Sequence, residues 1–388
     1  MAASASAQNT MTSSPYSMFG LGEMASGLYG QNTSMAGVTV GMREGMLMNI
    51  ENPAGLTALD SCKLFAEASA FVKNERYRSD GSSSNAFTGN FSAFSLGGRI
   101  MRRWYMSAGV TPYSFVGYYF KSSQELEGSP GTFVTSTFSG TGGLSKAFLS
   151  QGFSLTKHLS VGMNLNFIFG NMTLNEIQSA MTVSREMSGR SFYADFGLQY
   201  HRPIARETFL TVGAIYGYKQ RISLKNTVTV TGSSTETPYN QKRVTQYLPQ
   251  YIGIGSSLAH KKWTYALDYL FRQYGVLNSS DSRVKFRDSH ELRLGVCYFP
   301  NGFSSSSYWK RMSYKAGVSV STPYLRLKGQ SGGAYRVSVG LGLPVLNGRI
   351  NTAFYYDRLQ LQGNALRRDI MGFTVTYTLS EKFYQVKL

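Results

Sequence analysis

From residue 63 onward the chain repeats one pattern: stretches in which every second residue is apolar or aromatic, separated by polar connections. Trp263, Tyr265, Leu267, Tyr269 and Phe271 are interleaved with Thr264, Ala266, Asp268, Leu270 and Arg272. Phe373, Val375, Tyr377 and Leu379 alternate with Thr374, Thr376 and Thr378. Strand side chains point to opposite faces in turn, so each stretch has one oily wall and one mostly polar wall. An aromatic-rich oily wall that recurs along a whole chain has lipid as its solvent. The shape that leaves no strand edge in lipid is a closed transmembrane β-barrel.

The alternation predicts fourteen strands, over 63–73, 91–101, 104–120, 132–156, 159–171, 191–202, 208–224, 243–259, 262–274, 289–300, 312–327, 334–346, 349–361 and 370–386. Their connections alternate in length. Those at 74–90, 121–131, 171–190, 225–242 and 275–288 are long, and those at 102–103, 157–158, 203–207, 260–262 and 347–349 are short. Two depart from the series: 301–311 is long for a short position and 328–333 short for a long one. Short periplasmic turns and longer extracellular loops on an even strand number are the habit of bacterial outer-membrane barrels, and they put both chain ends in the periplasm. A soluble sandwich also has many strands, but it does not explain strands of this length with aromatics on one face. The loop at 225–242, with Thr227-Val228-Thr229-Val230-Thr231, reads as a projecting hairpin.

Composition supports one barrel and not several soluble domains. Only 15% of the 388 residues are charged and 14% are aromatic, against about a quarter charged in a typical soluble protein. Mean hydropathy is −0.20, and the absence of an apolar run of about 18 residues excludes helical spans. The net charge of +18 is scattered over turns and strand faces. It fits anionic lipid headgroups, lipopolysaccharide phosphates or an acidic envelope partner, and not nucleic acid. Cys62 and Cys297 lack CxxC spacing and both fall near the periplasmic end, as a bridge or as two buried thiols.

The pattern fails before residue 60, and the failure divides the chain. Ala5-Ser6-Ala7 resembles the end of a secretory signal, making 1–7 a remnant of the cleavage region. Residues 8–60 are rich in Gly, Met, Ser and Asn, too apolar for a solvated tail and too short of pattern to fold alone. A fourteen-stranded wall, 61–388, encloses a lumen too wide for its own side chains to fill, so 8–60 is expected inside it as a plug. Within the plug, Asn52-Pro53-Ala54 fits a turn or helix start, Asn capping and Pro in the first helical position.

A plug with Met35-Ala36-Gly37, the tripeptide Asn52-Pro53-Ala54 just before the first strand, and fourteen strands together resemble the FadL family of outer-membrane transporters for hydrophobic compounds. Ser14-Pro15-Tyr16-Ser17 and Glu381-Lys382-Phe383-Tyr384 look like a divergent branch, and PorV-like relatives in the superfamily serve protein secretion instead of uptake. The resemblance implies a hydrophobic small molecule, long-chain fatty-acid-like, captured from outside and released sideways through the wall. Pro112 lacks the N–H that a paired strand needs, so it is the candidate lateral gate, or else a simple bulge. Pro249, Pro323 and Pro344 are competing kinks. Met18, Phe19, Met35, Met46 and Met48 are candidate ligand contacts or plug packing, since flexible thioethers suit both.

No HExxH, nucleophile elbow, metal-ligand spacing or phosphate loop appears among these residues, so no catalytic residue, metal or cofactor is expected. His290-Glu291 is the one tempting pair and reads as a solvated rim, with Asp268 an isolated acid on a polar wall. Two functions remain: a transporter of hydrophobic small molecules, or an accessory barrel docking other proteins in an outer-membrane assembly or secretion complex.

Overall fold

The computed structural model describes residues 12–25, 30–79, 82–125, 131, 133–178, 181–232, 236–277, 284–300, 307–327, 329–362 and 366–382. In chain order the strands are β1 (Glu23–Met24), β2 (Lys63–Ser79), β3 (Ser82–Met101), β4 (Trp104–Glu125), β5 (Phe133–Ser154), β6 (Leu159–Gln178) and β7 (Met181–Ala205). They continue with β8 (Thr208–Gly217), β9 (Gln220–Thr231), β10 (Glu236–Leu248), β11 (Tyr251–His260), β12 (Trp263–Arg272), β13 (Val284–Phe286) and β14 (Ser289–Tyr298). Last come β15 (Ser313–Ser321), β16 (Leu325–Leu327), β17 (Gly332–Val345), β18 (Gly348–Leu361) and β19 (Arg367–Lys382), with one short helix, α1 (Tyr308–Arg311), before β15.

Each barrel strand pairs antiparallel with its neighbour, and β19 pairs with β2 from Lys382↔Lys63 to Arg367↔Arg78, closing the ring. Two staves are each made of two strands end to end. β7 pairs with β8 through its lower half and with β9 through its upper half, while β11 pairs with β8 and β10 with β9. With these joined, the ring is a closed antiparallel barrel of fourteen staves, as the alternation predicts. The breaks fall at 218–219 and at Pro249-Gln250, so the expected continuous strands 208–224 and 243–259 are interrupted.

The strands also run farther than the alternation suggests. Much of the connections at 74–90 and 171–190 is strand: β2 runs to Ser79 and β3 starts at Ser82, while β6 runs to Gln178 and β7 starts at Met181. The cause lies on the outer face. Along β2 the outward series Leu64, Ala66, Ala68, Ala70, Val72 gives way to Asn74, Arg76, Arg78, while the ladder to β3 continues. Above the lipid both faces meet water, so the hydrophobic alternation stops before the strand does. Outward side chains of the belt are exposed and apolar, as in Ile254, Tyr265, Leu294, Val339 and Phe373.

The inner face is covered by the N-terminal segment. From Thr12 to Leu59 most described residues are buried, and the elements among them are short 3-10 turns and β1. Where it crosses the wall, inward glycines make room. A Cβ on Gly317 would stand 2.3 Å from the Met35 carbonyl carbon, and one on Gly213 would stand 2.1 Å from Val40 O.

Candidate functional site

An irregular segment buried in a lumen must find partners for its backbone N–H and C=O groups outside itself. The wall supplies them. Asp268 Oδ2 on β12 accepts from the N–H groups of Thr39 at 2.7 Å and Val40 at 2.9 Å. Gln199 on β7 donates to Val40 O at 2.9 Å, Ser257 on β11 to Gly41 O at 2.7 Å, and Asn164 on β6 to Ile50 O at 2.9 Å. Ser338 on β17 accepts from Ala36 N at 2.8 Å.

Buried charges complete the attachment. Arg293 on β14, 1% exposed, donates to Gly37 O at 2.6 Å and meets Glu51 of the segment at 3.2 Å. The same guanidinium grips Glu291 with two bonds of 2.9 and 3.0 Å, and Arg272 on β12 reaches Glu291 at 2.8 Å. Glu44 pairs with Arg349 of β18, and Glu23 with Arg368 of β19. Burial pushes the Glu44 carboxyl up, but Arg349 and Lys315 outweigh it and bring it down to about 2. Ions this buried hold their charge only because each has a partner and further hydrogen bonds.

Asn52 caps the 3-10 turn Pro53–Ala58, its Oδ1 accepting from Ala54 N at 3.2 Å. Its Nδ2 donates to Val40 O at 2.7 Å and to Leu198 O of β7 at 3.2 Å. The tripeptide Asn52-Pro53-Ala54 therefore ties the segment both to itself and to the wall. All three residues are buried.

The wall has a gap beside β4. β3 and β4 pair from Met101↔Trp104 up to Phe94↔Val110 and no farther, although β2 stays paired to β3 up to Ser79↔Ser82. The next residues of β4 carry Pro112, where the pairing to β5 shifts between Pro112 and Ser114. Beyond it Ser114, Phe115, Val116, Gly117 and Tyr118 are all buried, as in a strand covered on both faces. Pairing to β4 resumes with β1: Glu23↔Phe115 and Met24↔Ser114, extended by Ala25 N to Tyr113 O at 3.0 Å. The N-terminal segment thus takes ladder positions opposite β4 above the point where β3 departs. A cavity of about 110 Å³ lies behind the gap, lined by Met24, Pro112, Tyr113, Tyr193 and Tyr274 together with the charged Glu51, Lys146, Asp195 and Arg272. It also reaches Leu248 and Pro249, at the break between β10 and β11.

The five candidate contact residues are spread through the segment. Met35 packs with Val38, Met42 and Leu47, and Met46 and Met48 pack with Leu56, Leu59 and Phe65. Met18 packs against the upper cluster around Leu21 and Val116, and Phe19 ends the first 3-10 turn. None of the five lines the cavity behind the gap. Pro249 lies at a strand break, Pro323 in the connection between β15 and β16, and Pro344 in a paired position opposite Arg349.

Two readings of charged residues change. Asp268 is not isolated, because it anchors the segment. His290 and Glu291 do not form a pair: His290 meets Tyr269 OH at 2.7 Å, while Glu291 faces the lumen and its arginines. The lumen cluster was marked in the sequence by Asp268, Arg272, Glu291 and Arg293 at inward positions, but joining them needs the register Asp268↔Arg293. Cys62 and Cys297 are free thiols.

The toluene transporter TbuX of Ralstonia pickettii shares the fold with a TM-score of 0.62 at 14% identity, over 91% of this chain and 98% of that one. A FadL homologue of Pseudomonas aeruginosa gives 0.62 at 11% identity, over 93% and 100%. The P. putida toluene transporter TodX gives 0.60 at 16% identity, over 92% and 99%. Two of these three neighbours are toluene transporters. Among curated proteins no sequence matches. The BamG family matches residues 1–387, and the chain belongs to that family.

Proposed function

We propose that this protein admits small hydrophobic molecules through the outer membrane and releases them sideways between β3 and β4, with residues 8–60 as the plug. The observation that carries the reading is the end of β3–β4 pairing at Phe94↔Val110, with β1 and a cavity behind it. A barrel needing only to hold its shape would gain from continuing that ladder, because each unpaired backbone group in lipid costs several kcal/mol, roughly. An apolar solute loses little by leaving into hydrocarbon, whereas a route across the lumen floor would expose it to water. The cavity volume of about 110 Å³ is on the scale of a single aromatic ring. A long acyl chain would require the plug to move. The five plug residues Met18, Phe19, Met35, Met46 and Met48 act in this reading as packing that holds the plug.

Pro112→Ala restores a donor to β4 and should lower uptake of labelled toluene into proteoliposomes several-fold, with heat-modifiable gel mobility unchanged. Unaltered uptake removes the gate.

A second reading, an accessory barrel in an outer-membrane assembly or secretion complex, is favoured by membership of the BamG family and by the lumen's dense polar fastening. Purification in mild detergent separates the two. Stoichiometric envelope partners and no uptake by the isolated barrel support the complex, and uptake by the barrel alone supports transport.

A further inference from the structure

The outward face changes character at one level across three adjacent staves. On β2, β19 and β18 the paired positions Val72↔Phe373 and Phe354↔Phe373 are apolar and exposed. Two residues higher stand Asn74, Met371 and Tyr356, and two residues higher again Arg76, Asp369 and Arg358. The next outward level pairs Arg78 directly with Arg367. Four arginines therefore crown an apolar belt, with one carboxylate among them. Asp369 is already committed: Arg367 reaches it at 2.8 Å, Arg358 at 3.8 Å and Tyr356 OH at 2.7 Å. Among the described residues no carboxylate pairs with Arg76 or Arg78, and both side chains are exposed. On the far side of β2 the register places Asn85 and Ser83 of β3 opposite these two arginines, so the patch ends there.

Like charges directly opposite on neighbouring strands repel. Arg367 has Asp369 to offset this, but Arg78 beside it has no carboxylate partner among the described residues, which leaves room for an external anion. Guanidinium groups bind phosphate through paired N–H donors, a geometry lysine lacks. The patch is continuous with a lipid-facing belt, so an anion held here with its acyl chains on Val72, Met371 and Phe373 would satisfy both surfaces at once. We propose that Arg76, Arg78, Arg358 and Arg367 form a binding site for the phosphorylated sugar headgroup of an outer-leaflet glycolipid. The inference rests on the orientation that puts the Ser79↔Ser82 end of the barrel outside the cell.

The test uses the full chain purified from outer membranes in mild detergent. Glycolipid retained per barrel is counted by mass spectrometry, and binding of the acylated glycolipid, its deacylated headgroup and inorganic phosphate is compared by calorimetry. Arg76→Ala with Arg78→Ala should lower affinity for the acylated glycolipid by more than tenfold, at about fivefold per arginine. Heat-modifiable mobility should stay intact, and Arg102→Ser with Arg103→Ser, in the turn at the opposite end, should retain glycolipid fully. Unchanged binding in the rim variant overturns the site. Equal binding of inorganic phosphate or of the deacylated headgroup also overturns it, reducing it to an anion patch. Orientation is read separately, from labelling of Ser83→Cys in a Cys62→Ser background on whole cells with an impermeant maleimide. Absence of label together with retained glycerophospholipid shows that the orientation has failed, and the proposal with it.

Discussion

Arg293 shows how much one side chain can carry in a lumen. It joins a backbone carbonyl of the plug, a plug carboxylate and a wall carboxylate, and is 1% exposed. Removing Arg293 leaves Glu51 without that cation and Glu291 with Arg272 alone, and breaking a buried ion pair costs about 3–5 kcal/mol. Arg293→Met should therefore loosen the plug by that order, read as faster proteolysis of residues 30–60 in the folded barrel. Arg293→Lys keeps the charge but cannot grip Glu291 with two bonds, and should fall between. Resistance equal to wild type in Arg293→Met would show that the cluster does not fasten the plug. Nothing in the local sequence announces this role. An inward polar residue looks the same whether it faces water or another chain segment, and Asp268 read as isolated because its partners lie 229 and 228 residues away.

At the scale of elements, the plug and wall fit by close backbone approach as well as by charge. Gly317→Leu would put side-chain atoms where the Met35 backbone runs. It should displace that stretch without opening the ring, seen as raised single-channel conductance with unchanged heat-modifiable mobility. Acid should act on the same contact through Glu44. Its folded-state carboxyl, at about 2, lies below the ordinary 4.5. A group with a depressed folded pKa contributes stability that is present above its unfolded pKa and is lost as pH falls through the folded one. Plug fastening should thus weaken between pH 4.5 and about 2 and be unaffected above that window. Glu44→Gln should flatten part of this acid response in a conductance titration. A wild-type response centred near neutral pH would assign it to another group.

For the whole molecule, the period-two pattern was legible because lipid imposes it on every stave at once. It yielded the strand number, and its loss before residue 60 marked the segment that is buried against the inner wall. It missed the strand extensions because water wets both faces above the belt. It also missed the gap in the wall, since Val110-Thr111-Pro112-Tyr113 names the kink but not the strand that departs. That information lies in pairing, where β3 leaves β4 and β1 takes the vacated ladder positions.

The seam between β2 and β19 carries one more implication. Gln31 of the plug donates to Met46 O at 2.5 Å and to Glu67 of β2 at 3.1 Å, while the Thr378 hydroxyl of β19 donates to the same carboxylate at 3.0 Å. The first stave, the last stave and the plug share one buried acid. Removing this acceptor should therefore weaken the closing seam and the attachment of the N-terminal segment together. Glu67 is thus the point where the end of the chain meets its beginning.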